Sequence, residues 1–266
     1  MIVVSCILVI VPRNGGLVGL SIVIPVYNEE ECILPCLKQT CRTFAGSDFE
    51  VIVVNDGSTD RTHRLMLETL SHFPAVRYLY YSPNRGYSHA IRTGFATAAK
   101  DYVSFLDADL QYRPADLKRM YDRATRENLR FLIGLPQNKY YSVFRRWQSR
   151  AYNAYVSLLF GLKTADANSL KLMARADLRN INFTLNYGMI ELETLIGFAL
   201  MGYPIKTMPI KVCDRLAGAS KSSLRLALRT LKDCLILRWR RHRLLKTSAD
   251  PAIPLVEESL EEALAR

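Results

Sequence analysis

The chain has 266 residues, of which 49% are hydrophobic and 23% charged, the balance of an ordinary globular protein with a sizeable core. Six cysteines in a chain of this length exclude a disulfide-rich secreted scaffold. The formal net charge of +11 predicts anionic partners, such as nucleic acid, an anionic membrane or phosphorylated substrates.

The first residues and the cysteines bear on the cellular compartment. The apolar run 2–11 is shorter than the about 20 residues that span a bilayer. It also lacks the basic start and the small-residue cleavage site of a signal peptide. Residues 1–19 are therefore expected to be an N-terminal extension, which is an extra strand, a frayed tail or an over-long start. Cys32, Cys36 and Cys41 have no zinc spacing and no nearby histidine, so we expect reduced thiols and a cytoplasmic location.

Strands alternate with helices through the first half of the chain. Short apolar runs predict strands over 20–25, 51–54, 76–81 and 102–106. The helices predicted after them cover 35–44, the segment from the turn 55–60 to about 71, 87–99 and 115–126. This alternation predicts an α/β fold with a mainly parallel central sheet and helices on both faces.

Each predicted strand ends in polar residues. In a parallel sheet the ligand lies outside the carboxyl ends of the strands, so these side chains are expected to share one crevice. They are suited to a nucleotide and are, in chain order, Tyr27, Glu29, Asp56, Asn84, Arg85, Asp107 and Asp109. The sequence contains neither a Gly-x-Gly-x-x-Gly pattern nor a Walker lysine motif, which disfavours a dinucleotide enzyme or a P-loop ATPase.

Asp107 and Asp109 form the most informative pair. Residues two apart on an extended backbone point to the same face, so the two carboxylates can converge on one point. Carboxylates held that close repel each other unless a cation lies between them. Hard oxygen ligands suit Mg²⁺ or Mn²⁺, which keep coordination positions open for substrate phosphates. The alternative is an exposed loop after a strand, where Asp is common.

Four ordered motifs carry a resemblance to a known family. They are 24–29 (IPVYNE), 54–60 (VNDGSTD), 84–86 (NRG) and 107–111 (DADLQ). Together they resemble the nucleotide-sugar half of inverting glycosyltransferases of family 2, which have the GT-A fold.

The resemblance implies roles for individual residues of a donor site. The nucleoside would be held by Pro25, Tyr27, Glu29 and Asp56. The carboxylates of Asp107 and Asp109 would handle Mg²⁺ or Mn²⁺ and the diphosphate, with Gln111 beside them. Arg85 is expected to join this donor site because it follows the third strand.

A second set of motifs narrows the group. A predicted helix over 142–160 carries basic residues, and the later motifs are 160–162 (FGL), 166–169 (DANS), 202–204 (GYP) and 214–221 (DRLAGASK). In this order they resemble dolichol-phosphate mannosyltransferases and bactoprenol-phosphate sugar transferases. The chain departs from that group in two places. It is one residue short after Ser169, where a small residue is usual, and it has Arg113 where many relatives have proline.

The resemblance implies a polyprenyl phosphate acceptor, and the chemistry of a phosphate agrees with it. A phosphate oxygen is already ionised at neutral pH, so it needs cations rather than a general base. The residues suited to bind it are Arg145, Arg146, Ser149, Arg150, Arg215 and Lys221. The alternative for Arg145 and Arg146 is a solvated helix face. Asp166 and Glu193 are the candidates for a catalytic base if the acceptor is a hydroxyl. Otherwise each orders an arginine, or Glu193 caps its helix or pairs within it.

The segment 220–246 predicts a long basic amphipathic helix. Its apolar stripe at helical spacing consists of Leu224, Leu228, Leu231 and Leu235. Two interpretations stay open: the helix lies on an anionic membrane surface with Trp239 as an anchor, or the stripe packs on the domain and the charges are solvated.

The predicted division of the chain is an extension over 1–19, a GT-A catalytic domain over 20–218, the basic helix over 219–247 and an acidic tail over 248–266.

Three functions follow from these features. The leading hypothesis is a metal-dependent inverting glycosyltransferase that moves a sugar from a nucleotide-sugar donor to a polyprenyl phosphate at the cytoplasmic membrane face. The second is a family 2 enzyme with a hydroxyl acceptor, although Leu235 stands where processive members carry the Gln of Gln-x-x-Arg-Trp. The third is a basic nucleic-acid-binding protein, for which the sequence has no recognisable binding motif, so no nucleic acid partner is expected.

Overall fold

The architecture was obtained as a computed structural model, which describes residues 18–137, 143–162, 166–185, 189–214 and 224–245. Within these ranges the strands are β1 Leu20–Val26, β2 Phe49–Asp56, β3 Val76–Tyr81, β4 Tyr102–Phe105, β5 Phe131–Pro136, β6 Lys171–Ala174 and β7 Lys206–Ile210. The α-helices are α1 Ile33–Phe44, α2 Thr62–Thr69, α3 Tyr87–Thr97, α4 Pro114–Glu127, α5 Val143–Phe160, α6 Arg175–Leu178, α7 Ile190–Leu200 and α8 Leu224–Arg240.

The strands form one sheet in the order β3-β2-β1-β4-β6-β5-β7. Strands β1 to β4 run parallel, and so do β5 and β7, whereas β6 is antiparallel to both of its neighbours. The predicted α/β fold with a mainly parallel sheet is therefore confirmed. Strand β1 pairs with β2 on one side and with β4 on the other, so the chain reverses its direction of winding there, at the place where open α/β sheets bind ligands.

Each face of the sheet is covered by its own hydrophobic core. Along β1, Ile22 and Ile24 face one core while Val23 between them faces the other, because successive side chains of a strand alternate. The first core includes buried residues of α1 and α4, and the second includes those of α3, α7 and α8. Burial on both faces explains why the central strands are continuous apolar runs.

The structure confirms the strand and helix alternation of the first half, with boundaries that move by a few residues. The second half was predicted less completely, because no strand was expected at β5, β6 or β7. Strand β6 is only four residues long and begins with a lysine, and β7 contains Pro209, which is tolerated at the edge of a sheet. The long C-terminal helix is present as α8 over the residues described, followed by a short 3-10 turn at Arg241–Arg243.

The approach of α3 to the sheet depends on a glycine. A Cβ atom added to Gly94 would lie 2.3 Å from Cγ1 of Val23 on β1, closer than real Cβ contacts come. The absence of a side chain lets α3 pack directly against the strand that carries the first loop of the site. Gly94 therefore helps to set the distance between this helix and the sheet.

We expect Gly94→Ala to destabilise the fold by about 1–3 kcal/mol, the usual cost of overpacking a core. Urea unfolding followed by circular dichroism measures this difference. The matched control is the same substitution in a Val23→Ala background, where the two γ-carbons have been removed. An equal cost of Gly94→Ala in both backgrounds would contradict the packing explanation.

Candidate active site

The candidate site lies at the carboxyl ends of β1 to β4, where the loops that follow these strands are joined by hydrogen bonds. The first two loops are joined at Asn28, which has a left-handed backbone with a φ of 57°. Its backbone N–H donates to Ser58 Oγ at 3.0 Å, and its side-chain Oδ1 accepts the Thr59 N–H at 2.8 Å. The next residue, Glu29, donates its N–H to Thr62 Oγ1 at 2.9 Å. These bonds fix Tyr27 and Glu29 relative to the loop after β2.

Asp56, at the end of β2, holds the loop that follows β3. Its two carboxylate oxygens accept the N–H groups of Arg85 at 2.7 Å and of Gly86 at 2.8 Å. The loops approach so closely that a Cβ on Gly57, which has a φ of +70°, would lie 2.9 Å from the Asn84 nitrogen. Asp56 thus has a structural task in addition to the predicted contact with a nucleoside. A carboxylate oxygen has a second lone pair, so both roles are compatible.

Two other predicted donor residues differ in exposure. Pro25 is buried within β1, whereas Tyr27 is exposed at the mouth of the loop. The Arg85 guanidinium is exposed and lies 5.2 Å from the centre of the Tyr81 ring. Arginine over an aromatic face is held in place while its charge stays available to an anion.

The loop after β4 orients both carboxylates of the Asp107-Ala108-Asp109 segment. Tyr87, the first residue of α3, donates its hydroxyl to Asp107 Oδ1 at 3.0 Å. Asp109 is buried and its Oδ1 accepts the Gln111 N–H at 3.0 Å. Leu110, which lies between Asp109 and Gln111, has a left-handed backbone with a φ of 58°. Such a conformation is costly for leucine, and strain of this kind is concentrated at functional sites.

The donor set of this loop fits a hard divalent cation. Within the ranges that the structure describes, no group of three or more His, Cys, Asp and Glu side chains is arranged to hold a metal. Asp107 and Asp109 offer two carboxylates two residues apart, which suits Mg²⁺ or Mn²⁺ if substrate phosphates supply further ligands. Burial raises the pKa of the neighbouring Cys36 thiol to about 12, so it is protonated and does not compete as a soft ligand.

Helix α5 and the segment after it form the predicted acceptor side. Arg150 is exposed and Ser149 half-buried, while the side chains of Arg145 and Arg146 lie outside the described residues. Asp166 is buried, and its Oδ1 accepts the Asn168 N–H at 3.2 Å within its own loop.

The segment that leads to Arg215 and Lys221 passes directly beside the Asp107–Asp109 loop. Cys213 donates its N–H to the Gln111 carbonyl at 2.9 Å, and Val212 forms an antiparallel bridge with Tyr112. Arg215 and Lys221 lie outside the described residues, but Arg215 is two residues beyond Cys213 in the chain. The described part of this segment, up to residue 214, therefore lies against the residues that follow Asp109.

Arg113, which stands where many relatives have proline, has a clear structural partner. It donates to Asp116 Oδ2 at 2.8 Å, and Arg119 contacts the other oxygen of the same fully buried carboxylate. Burial alone would raise the pKa of Asp116, but the hydrogen bonds from Arg119 and Arg113 outweigh it and hold the pKa below its usual value. Asp116 also accepts the Lys211 N–H at 3.3 Å, which ties α4 to the segment after β7.

Glu193 is held by backbone groups. It is buried on α7, and its Oε1 accepts the N–H of Thr184 at 2.7 Å, the Thr184 hydroxyl at 3.0 Å and the Leu185 N–H at 3.1 Å. Its hydrogen bonds thus order the 184–185 backbone, where the sequence suggested an arginine. Burial raises the pKa of Glu193.

Helices α5 and α8 pack against each other and expose large apolar side chains. The Tyr155 hydroxyl of α5 donates to the Leu231 carbonyl of α8 at 3.3 Å. The most exposed large apolar residues on the two helices are Trp147, Leu158, Leu235 and Trp239. In the part of the chain that the structure describes, no helix combines the length and the apolar character needed to cross a bilayer.

Sequence reasoning missed three polar residues that lie between the donor and acceptor sides, Tyr87, Lys171 and Glu191. Lys171 is fully buried and donates to the carbonyls of Ala167 at 2.7 Å and Ser169 at 2.9 Å. A lysine between two leucines in a short apolar segment was the available signal, since lysine is almost never fully buried without partners. Tyr87 gave no comparable signal.

Comparisons with known proteins agree with this geometry. The sequence model of the family described as "Glycosyl transferase family 2" matches residues 21–184. The undecaprenyl-phosphate 4-deoxy-4-formamido-L-arabinose transferase of Pseudomonas paraeruginosa is 34% identical over 209 residues, which are 76% of this chain and 60% of that protein. The enzyme of the same name from Pectobacterium carotovorum is 33% identical over 224 residues, 82% of this chain and 66% of that protein. The chain thus spans about two thirds or less of these relatives' length.

Among solved structures, glucosyl-3-phosphoglycerate synthase from Mycobacterium tuberculosis is similar in fold. Its complex with Mn²⁺, UDP and glucosyl-3-phosphoglycerate superposes with a TM-score of 0.66 at 21% identity, over 83% of this chain and 80% of that chain. The complex of that enzyme with Mg²⁺ and UDP has the same TM-score at 19% identity. These likenesses place the sheet and its flanking helices in the GT-A fold.

Proposed function

The chain belongs to glycosyl transferase family 2, and from this premise we propose that it moves a sugar from a nucleotide-sugar donor to a polyprenyl phosphate, with inversion at the transferred carbon. The observation that supports the donor half is the set of joined loops at the ends of β1 to β4, in which Asp107 is bonded to Tyr87 and Asp109 to the Gln111 backbone. The polyprenyl phosphate acceptor is supported by the names of the relatives that match most of the chain.

On the donor side, the chain's own residues position the nucleotide and its leaving group. Pro25, Tyr27, Glu29, Asp56 and Arg85 surround the nucleoside and the start of the diphosphate. Asp107 and Asp109 would hold Mg²⁺ or Mn²⁺ against the diphosphate. When bound, such a cation neutralises the charge that develops on the departing nucleoside diphosphate.

On the acceptor side, cations replace a general base. A lipid phosphate is already ionised, so the enzyme has to bring two anions together rather than remove a proton. Arg150 on α5, with Arg145, Arg146 and Ser149 of the same helix, is assigned to the phosphate. Arg215 and Lys221 are assigned to it as well, on their charge and on the resemblance of the 214–221 motif. The hydrogen bonds of Glu193 to Thr184 and Leu185 support a role in loop order rather than proton transfer.

The enzyme is proposed to work at the cytoplasmic face of a membrane, attached to its surface. Leu235 and Trp239 on α8 expose apolar area beside Lys232, Arg238 and Arg240. Apolar side chains flanked by basic ones are typical of helices that lie in the interface of anionic bilayers. A polyprenyl acceptor requires such proximity, because its chain is buried in the bilayer.

We expect organic-extractable product from a radiolabelled transfer assay with a panel of nucleotide sugars, polyprenyl phosphate and Mn²⁺. Asp109→Asn should lower kcat at least about 100-fold, since a misplaced cation loses several kcal/mol of charge stabilisation. Asp122→Asn, an exposed carboxylate on α4, is the control and should keep full activity. Transfer only to a soluble hydroxyl acceptor would reject the proposed acceptor, and full metal-dependent turnover by Asp109→Asn would reject the proposed cation site.

Arg150→Ala should raise KM for the polyprenyl phosphate about tenfold, the value of one charge-assisted hydrogen bond. The KM of the nucleotide sugar should not change, because Arg150 belongs to the acceptor side. Arg126→Ala is the matched control, because this exposed arginine lies in the last turn of α4, far from the carboxyl ends of the strands. An unchanged acceptor KM in Arg150→Ala would remove this residue from the phosphate site.

Leu235→Ala should weaken binding to vesicles containing anionic lipid about tenfold, because burying a leucine side chain is worth about 1.5 kcal/mol or more. Leu200→Ala is the matched control, since Leu200 is similarly exposed but lies at the end of α7. Co-sedimentation with anionic and with neutral vesicles measures both variants. Equal binding to duplex DNA and to anionic vesicles would favour non-specific attraction by charge over a membrane surface.

A further inference from the structure

Tyr87, Glu191 and Lys171 lie between the two sides of the proposed active site, and neither the donor nor the acceptor assignment uses them. We propose that these three are positioning residues that hold Asp107 of the donor site in a fixed relation to the 166–169 loop of the acceptor side. This inference rests on the proposed function and adds to it a connection between the two substrate sites. It is carried by hydrogen bonds and by electrostatic contacts between buried groups that follow one another from residue to residue.

The first step joins Asp107 to α3. Tyr87 is the first residue of this helix and follows Gly86, whose N–H is bound by Asp56. The Tyr87 hydroxyl donates to Asp107 Oδ1 at 3.0 Å. The position of Asp107 is therefore set both by its own loop and by a helix that starts at the nucleoside side of the site.

The second step joins Tyr87 to α7. The Tyr87 hydroxyl also interacts with the carboxyl group of Glu191, a half-buried residue in the first turn of that helix. Burial raises the pKa of Glu191, and the charge of Lys171 and the Tyr87 hydroxyl oppose this.

The third step joins Glu191 to the 166–169 loop. Lys171 is fully buried at the start of β6 and interacts electrostatically with Glu191 and Asp166. Its Nζ donates to the Ala167 and Ser169 carbonyls, which uses two of the three donors of an ammonium group. Burial lowers its pKa to about 8. The loop that contains Asp166 is thus wrapped around this lysine.

The last step joins the loop to α5. The Ala167 N–H donates to Asn153 Oδ1 at 3.0 Å, and the Asn153 amide donates to the Ser149 carbonyl at 3.0 Å. Ser149 and Arg150 belong to the proposed acceptor-phosphate set. Polar contacts therefore run from the donor carboxylate to the acceptor helix, and a displacement at one end is transmitted to the other.

Stability alone does not explain a lysine at this position. Replacing a complete buried ion pair by well-packed hydrophobic residues of similar volume is often neutral or stabilising. The neighbours of Lys171 on either side, Leu170 and Leu172, are themselves buried leucines. The charge and its two hydrogen bonds instead fix the shape of the loop beside the site.

The donor end is tested with Tyr87→Phe, which keeps the ring and removes the hydroxyl. The probe is whichever of UDP, GDP, CDP and dTDP, each with Mn²⁺, binds the wild-type chain most tightly in calorimetry. We expect about tenfold weaker binding by Tyr87→Phe. Tyr102→Phe is the matched control, since it removes a hydroxyl that donates to the Leu129 carbonyl at 2.9 Å at the opposite end of β4, and its affinity should equal that of wild type.

The acceptor end is tested with Lys171→Met, which fills a similar volume without charge. We expect faster amide hydrogen exchange over 166–169, an acceptor KM raised about tenfold and a lower melting temperature, because two carbonyls and the nearby acidic groups lose their partner. Glu191→Leu, which fills a similar volume without polar atoms, should weaken nucleotide binding in the same direction as Tyr87→Phe. A purely structural role would also lower the melting temperature but would leave both substrate constants unchanged.

The outcomes separate this inference from the proposed function. Wild-type affinity in Tyr87→Phe together with loss of binding in Asp109→Asn would overturn the inference and leave the proposed function standing. Absence of binding of all four nucleotides by the wild-type chain would overturn the proposed function, and the inference with it. An altered affinity in Tyr87→Phe with unchanged exchange over 166–169 in Lys171→Met would overturn the connection between the two sides.

Discussion

Hydrogen bonds between neighbouring loops at the carboxyl ends of β1 to β4 are the constraint on which the site depends. Parallel strands bring their loops side by side, but they leave backbone N–H groups there without sheet partners. Asn28 and Asp56 supply acceptors for these groups, and each such bond contributes about 1 kcal/mol. The loops after β1, β2 and β3 are consequently joined into one unit, and Asp107 after β4 is attached to it through Tyr87.

The distribution of charge gives this unit its chemical character. The chain carries a net charge of +11, yet two carboxylates at the strand ends, Asp56 and Asp109, are buried. The positive net charge attracts phosphorylated substrates from a distance. The buried carboxylates, by contrast, repel a diphosphate that has no metal ion and favour binding of a divalent cation. Under the proposed function, Arg150 of α5 supplies positive charge for the second anionic substrate, so that each of the two anions has its own partner.

The sequence predicted the first half well because local signals and tertiary structure agree there. Strands β1 to β4 are buried on both faces and are therefore uniformly apolar, and the residues that bond loop to loop are the Asn, Asp, Ser and Thr that also mark turns. The second half could not be predicted equally well. Strand β7 is largely exposed at an edge and holds Pro209, so its pattern resembles a loop. Tyr87 could not be predicted at all, because its role depends on a partner 20 residues away in sequence.

Lys171 shows why a departure from a family pattern can carry structural information. The sequence alone suggested that the segment after Ser169 is one residue short, and it left the backbone near Asp166 undefined. In the structure the carbonyls of Ala167 and Ser169 both point to the Lys171 ammonium group, which requires a tight loop. The two carbonyls converge on one cation, and the cation in turn offsets the charge of nearby acidic groups. The tight loop and the buried lysine are therefore one feature, and under the proposed inference this feature joins the donor side to the acceptor side.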